Sequence, residues 1–174
     1  AASDVYKETD MRDTPIETIY FGGGTPSVLS TTDISLLIET VQQNFEIVNN
    51  PEITLEANPD DLTKEYCDEL KSAGINRLSI GIQSFYEEHL VWMNRSHNAE
   101  QASNCVQIAI DSGINHISMD LIYGFPGLSD EQWTSNLEKA SDLQINHLSC
   151  YSLTVEERTP LKKLIAVSYT HLTL

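Results

Sequence analysis

The chain has 174 residues, 40% of them hydrophobic, and 26 acidic against 10 basic residues give a formal net charge of −16. This size and composition are typical of one globular domain with its own core. So acidic a surface repels a phosphate backbone, which excludes nucleic acid as an expected partner. No apolar run approaches the roughly 20 residues that a membrane helix needs, and no signal-peptide pattern opens the chain. We therefore expect a cytoplasmic protein without a membrane-spanning segment.

Hydrophobic periodicity divides the chain into alternating strands and helices. One apolar stripe at helical spacing consists of Ile34, Leu37, Ile38, Val41 and Phe45. A second stripe runs from Ala102 to Ile110, and Ser129 with Gln132 forms a capping box that begins a further helix. Strand-like runs fall at residues 16–21, 52–56, 77–83, 116–122 and 147–153. This alternation predicts parallel strands joined by helical crossovers.

A short repeat marks three of the turns between a helix and the next strand. It occurs at 74–80 (GINRLSI), 113–119 (GINHISM) and 144–150 (QINHLSC). Gly74 and Gly113 stand where the end of a helix needs a residue in the left-handed conformation. Repeated units of this kind indicate successive strand–helix elements of one sheet. Both a β/α barrel and an open, doubly wound sheet fit the repeat.

Alternate residues of the strands have different characters, and this favours a barrel. One row is apolar and should lie under the helices: Leu78, Ile80, Ile82, Ile117, Met119 and Leu121. The other row is polar: Thr54, Glu56, Ser79, Gly81, Gln83, Ser118, Asp120, Ser149 and Tyr151. A filled small barrel has bulky apolar residues inside. The polar row instead predicts an interior that holds a polar ligand.

Two candidate ligand-binding segments follow the first two strands. The run Gly22-Gly23-Gly24-Thr25-Pro26 lacks the spacing of a nucleotide-binding glycine motif. It is either a tight turn or a loop whose backbone approaches a ligand closely. Glu56 ends the second strand, where parallel folds bind ligands. Its carboxylate could accept two hydrogen bonds from a vicinal diol, or could simply be solvated.

Further candidates lie on the third and fourth strands and the loop between them. Gln83 closes the third strand. Arg95 follows after a short helix and could clamp a carboxylate or make a surface ion pair. Asp120 stands in mid-strand between Met119 and Leu121, and a buried carboxylate needs a partner. We interpret that partner as a ligand.

The cysteines and histidines show no pattern of a metal site or a disulfide framework. Cys67, Cys105 and Cys150 are far apart and odd in number, which fits a reducing compartment. We interpret all three as small buried apolar residues. The five histidines lack metal-ligand spacing, and no catalytic nucleophile is recognisable.

Together the motifs resemble one family. They are GGGTPS at 22–27, EANP at 56–59, NRLSIGIQSF at 76–85, Asn94-Arg95, and DLIYGFP at 120–126. In this order the chain resembles the oxygen-independent coproporphyrinogen III oxidases and the related HemW heme chaperones, which are radical S-adenosylmethionine (SAM) proteins. The resemblance implies an α/β fold, a partial TIM-like β/α barrel spanning residues 16–165 with about five strand–helix units present.

The resemblance also implies cofactors and the residues that contact them. Gly23, Gly24 and Thr25 match the segment that meets the methionine part of SAM. Four side chains match positions that contact its ribose, amino or carboxylate groups: Glu56, Gln83, Arg95 and Asp120. Thr154 falls where a residue at the end of a strand contacts the cofactor. The family also implies a [4Fe–4S] cluster, heme, and a protein that receives the heme.

The chain departs from the family pattern near both ends. The family binds its cluster with a Cys-x-x-x-Cys-x-x-Cys loop upstream of the glycine motif, and no cysteine precedes Gly22 here. We therefore expect a fragment that binds no cluster and is inactive alone, with cluster and heme belonging to the full-length parent. Residues 1–15 are expected to be a poorly structured or helical lead-in. Residues 166–174 (AVSYTHLTL) resemble a translated sequencing adapter and are expected to be non-native.

Three readings of the function remain open at this point. Small differences near Ala57, Ser84 and Thr154 favour a heme chaperone over the decarboxylating oxidase. A metabolite-binding module without redox chemistry is the alternative of another class.

Overall fold

The computed structural model describes residues 14–143, 145–154 and 162. Residues 1–13 of the expected lead-in (1–15) and the whole expected tail at 166–174 lie outside them. The strands are β1 Ile16–Phe21, β2 Ile47–Ala57, β3 Arg77–Gln83, β4 His116–Tyr123 and β5 His147–Ser152. The helices are α1 Thr31–Asn44, α2 Lys64–Ser72, α3 Glu87–Trp92, α4 Ala99–Asp111 and α5 Asp130–Asp142. All five predicted strands are present, and β2 begins earlier than predicted. None of the described helices has the length and apolar character needed to cross a membrane.

The five strands form one parallel sheet in which spatial order follows chain order, β1-β2-β3-β4-β5. A doubly wound sheet reverses its strand order at a switch point, where its ligand binds. No reversal occurs among the described strands, so the open-sheet alternative is excluded. The fold is the predicted partial β/α barrel.

The predicted alternation along the strands is confirmed. The apolar row of β3 and β4 is at most 1% exposed and packs in one core with the inner faces of the helices. Fully burying such a side chain contributes about 1.5–3 kcal/mol. The opposite, polar row is mostly half-buried and forms the other face of the sheet, which we call the concave face. Packing of one face of the sheet therefore determines which residues the other face presents.

Two predictions of burial were wrong. In the α1 stripe Ile34 and Ile38 are buried, but Leu37 and Phe45 are 45% and 50% exposed, because the packed face of α1 is narrower than the stripe. Cys150 is exposed, whereas Cys67 and Cys105 are buried as expected. Cys150 lies on β5, an edge strand of the described sheet, and no described helix follows β5 to cover it.

The helix-to-strand repeat has a structural explanation. Gly74 and Gly113 have φ of 102° and 83°, the left-handed conformation predicted for them. The Asn76 side chain accepts from the Ile53 backbone N–H (2.8 Å) and donates to the Pro51 carbonyl (2.8 Å). Asn146 accepts in the same way from the Ile117 N–H (3.1 Å). In two of the three copies of the repeat, the asparagine thus fastens the turn to the backbone of the preceding strand.

Asn76→Ala should lower the free energy of unfolding by about 1–3 kcal/mol, because two backbone groups lose their partner. Asn115→Ala is the matched control, since Asn115 holds the same place in the repeat but is exposed; it should cost less than about 0.5 kcal/mol. Urea denaturation of both variants measures the difference. Equal losses would contradict the fastening role of Asn76.

Candidate functional site

The glycine loop that follows β1 is fixed by Glu56 at the end of β2. The Gly23 N–H donates to Glu56 Oε2 (3.1 Å), and Gly23 has φ of 115°. A Cβ on Gly22 would lie 2.8 Å from the ring of Tyr20 and 3.1 Å from Glu56 Oε1. A Cβ on Gly24 would meet no atom within 4 Å. Gly22 and Gly23 are therefore required by the packing and backbone of the loop, whereas Gly24 borders open space.

Glu56 is held from two sides. The Tyr20 hydroxyl donates to its Oε1 (2.8 Å), opposite the bond from Gly23. An ionised carboxylate offers about four acceptor positions, so about two remain for a ligand. Burial raises the pKa of Tyr20, and the bond to Glu56 raises it further. The sequence analysis did not predict a role for Tyr20. Tyr20 pairs with Thr54 in the sheet and therefore belongs to the polar row.

Asn58 connects the glycine loop with Arg95. Its Nδ2 donates to Thr25 Oγ1 (3.4 Å), and its Oδ1 accepts from Arg95 Nη2 (2.8 Å). Its backbone N–H donates to Ser27 Oγ (3.3 Å). Asn58 also had no predicted role; the available signal was its place in the motif that begins at Glu56. Through Asn58, the ends of β1 and β2 and the loop after α3 form one connected unit.

Arg95 is half-buried and retains an unused donor. Its Nε is buried with no hydrogen-bond partner in the described part of the chain. Burial lowers the pKa of Arg95, and the negative charge of Asp60 partly offsets this. Its guanidinium bonds an amide at 2.8 Å rather than a surface carboxylate. The side chain as a whole is half-buried, so the guanidinium could pair with an anionic ligand group.

Gln83 lies beside Arg95. A Cβ on Gly81 would be 2.8 Å from Gln83 Nε2 and 3.5 Å from Arg95 Nη2, so both side chains pass over this glycine. Gln83 has φ of 65°, and the register of β3 on β4 shifts between Ile80 and Gln83. The sequence gives no signal of this conformation, because glutamine has no preference for it.

Residues other than glycine with positive φ are concentrated at the site. Within the described residues they are Thr25, Gln83 and Asn94, with φ of 53°, 65° and 53°. For a β-branched residue such as Thr25 this is a genuine outlier. A strained backbone of this kind persists where contacts with surrounding residues hold it in place, and it is concentrated at ligand-binding sites.

Asp120 faces the same space as Glu56. It pairs with Ser149 of β5 in the register of the sheet. Burial raises the pKa of Asp120, and the negative charge of Glu56 adds to the rise. Glu56, Gln83 and Asp120 lie in the C-terminal halves of β2, β3 and β4, which is the end of the parallel sheet from which the glycine loop after β1 extends.

Thr154 lies just beyond β5 and is exposed, and its hydroxyl donates to the Ser152 carbonyl (3.5 Å).

Burial raises the pKa of the Cys67 and Cys105 thiols to about 11 and about 12. Over the described ranges, no three His, Cys, Asp or Glu side chains are grouped so as to hold a metal ion. The described residues therefore do not fit an iron–sulfur cluster, whereas the donors and acceptors around Glu56 and Arg95 fit a polar organic ligand.

Curated proteins similar to this chain include heme chaperones. The chain is 39% identical over 144 residues to the heme chaperone HemW of Haemophilus influenzae and 38% identical over 144 residues to that of Escherichia coli K12. Each comparison covers 83% of this chain and 38% of the relative. The chain thus spans less than half the length of these relatives.

Solved structures share the fold. Coproporphyrinogen III oxidase (HemN) from Escherichia coli, a radical SAM enzyme, matches with a TM-score of 0.73 and 27% identity, over 88% of this chain and 39% of that one. Archaeal Elp3 from Methanocaldococcus infernus matches with a TM-score of 0.73 and 21% identity, over 88% of this chain and 41% of that one. The radical SAM superfamily model matches residues 3–140. Since this match covers well over half of the sequence, the chain belongs to the radical SAM superfamily.

Proposed function

We propose that this chain is the SAM-binding part of a longer heme chaperone of the HemW type that works in the cytoplasm. The observation that supports the proposal best is the Glu56 carboxylate. It is held by Tyr20 and Gly23, keeps free acceptor positions, and faces Asp120 across the concave face. Two acidic side chains and the positively charged Arg95 suit a ligand with a cationic part, a diol and a carboxylate. SAM has all three.

Each candidate residue has a defined task in this proposal. Glu56 accepts from the ribose hydroxyls, and the guanidinium of the half-buried Arg95 pairs with the carboxylate of SAM. Gln83 and Asp120 bind the remaining polar groups, and Gly23, Gly24 and Thr25 border the methionine part. Thr154 contacts the cofactor from the end of β5. When SAM is bound together with a reduced [4Fe–4S] cluster, it supplies radical chemistry.

The cluster, the heme and the protein that receives the heme belong to the longer protein in this proposal. The cluster ligands would come from outside the described residues, since these do not group as metal ligands. The support for heme is the name of the relatives that are 38–39% identical.

Glu56→Gln should weaken SAM binding by the chain about tenfold or more, because hydrogen bonds to a charged group contribute about 1.5–3 kcal/mol. The matched control is Glu52→Gln. Glu52 lies on the same strand and pairs with Arg77 at 3.0 Å, away from the glycine loop. The control should change affinity less than about twofold. Isothermal titration calorimetry measures both, and equal affinities of the two variants would contradict the site.

Asp120→Asn should raise the melting temperature at pH 7 while weakening SAM binding. Burial raises the pKa of Asp120 in the folded chain, so the folded state binds this proton more tightly than the unfolded state. The contribution of Asp120 to stability is therefore lost as the pH rises from the ordinary pKa of an Asp carboxyl through the raised pKa of Asp120. The gain in melting temperature should vanish at acidic pH, where Asp120 is protonated in both states.

Glu39→Gln is the control for charge, because Glu39 is exposed on α1 and its replacement changes the net charge equally. Thermal unfolding followed from pH 3 to pH 8 compares the three proteins. A lower melting temperature of Asp120→Asn at pH 7 would show that the carboxylate is stabilising, contrary to the expectation.

The decarboxylating oxidase is the second candidate, favoured by the match to HemN. The full-length protein with its cluster reconstituted should bind heme, seen as a shift of its visible absorption. It should fail to convert coproporphyrinogen III to protoporphyrinogen IX in an anaerobic assay in which HemN serves as the active control. Conversion at a rate able to support heme synthesis would replace the chaperone proposal with the oxidase.

A further inference from the structure

Three polar side chains form a buried cluster behind the candidate site: Ser84, His89 and Asn136. They are 0%, 3% and 0% exposed. Ser84 Oγ lies 2.9 Å from His89 Nδ1 and accepts from Asn136 Nδ2 (3.2 Å). Their residue types match those of some hydrolytic sites, but a fully buried hydroxyl has no access to a substrate. The cluster is therefore not a nucleophilic site.

The cluster holds the turn that leaves β3. Asn136 Oδ1 accepts from the Phe85 N–H (2.9 Å), and Ser84 Oγ accepts from the Tyr86 N–H (3.2 Å). The Ser84 N–H in turn donates to the Ile82 carbonyl (2.8 Å), which closes a tight turn around Gln83. Asn136 lies on α5, so this turn is fastened to an element far along the chain.

Gln83 is the residue inside that tight turn, and its φ is 65°. A left-handed conformation is unfavourable for a residue with a side chain. Such a strained conformation persists only when contacts with surrounding residues hold it in place. The bonds of Asn136 with Ser84 and Phe85, and the bond from the Tyr86 N–H to Ser84 Oγ, supply that constraint.

We propose that Asn136 is a positioning residue for SAM binding. By bonding Ser84 and Phe85 it keeps Gln83 in its left-handed conformation, with the Gln83 amide over Gly81 beside Arg95. This inference rests on the proposed function, because it takes Gln83 as a contact of SAM. A buried polar side chain is expensive unless it is bonded, and here every described bond of the Asn136 side chain goes to this turn.

The test is a double-mutant cycle in the full chain, with SAM affinity measured by calorimetry. Gln83→Ala and Asn136→Ala should each weaken binding about fivefold or more, the range of couplings between residues in one network. If Asn136 acts through Gln83, adding Asn136→Ala to Gln83→Ala should cause no further loss. Ser84→Ala, a smaller change, should show the same non-additivity with a smaller loss.

Asn76→Ala is the control for a merely structural effect. It removes an asparagine that bonds backbone groups at the opposite end of the sheet, so it should lower stability and leave SAM affinity unchanged. Measurements at a temperature where every variant is folded separate the two effects. If the unmodified chain binds no SAM, the proposed function is overturned. If it binds SAM and Gln83→Ala weakens binding but Asn136→Ala or Ser84→Ala does not, or the losses simply add, this inference alone is overturned.

Discussion

Packing of one face of a parallel sheet against helices is the constraint on which the rest of this structure depends. The apolar row of β3 and β4 is excluded from water beneath the helices. Because side chains alternate along a strand, a shift of one residue would bury the polar row and expose the apolar one. The register that buries Leu78 and Ile117 is therefore the register that places Glu56 and Asp120 together on the concave face.

The candidate site residues on that face are held in place by hydrogen bonds from neighbouring residues as well as by the strands that carry them. Tyr20 and Gly23 orient Glu56, and Asn58 joins the glycine loop to Arg95. Side chains that are fixed before a ligand arrives lose little entropy on binding, which is the physical basis of preorganisation.

The same region contains groups that the ligand-free fold satisfies poorly. Arg95 Nε is buried without a partner in the described chain, the pKa of Asp120 is raised by burial, and Gln83 has a left-handed backbone. Each feature lowers the stability of the ligand-free chain. Under the proposed function, a ligand that bonds Asp120 and Gln83 recovers part of that cost.

The sequence by itself determined the strands, the buried row, the glycine caps and the shared end of the sheet at which Glu56, Gln83 and Asp120 lie. These properties follow from local periodicity and from the alternation of side chains, both of which are visible in a single chain. Only the tertiary structure decided that Leu37 and Cys150 are exposed, that Tyr20 bonds Glu56 and that Asn136 fastens the turn after β3. Such contacts join residues distant in sequence, and no local pattern specifies which side chains the packing of separate elements will bring together.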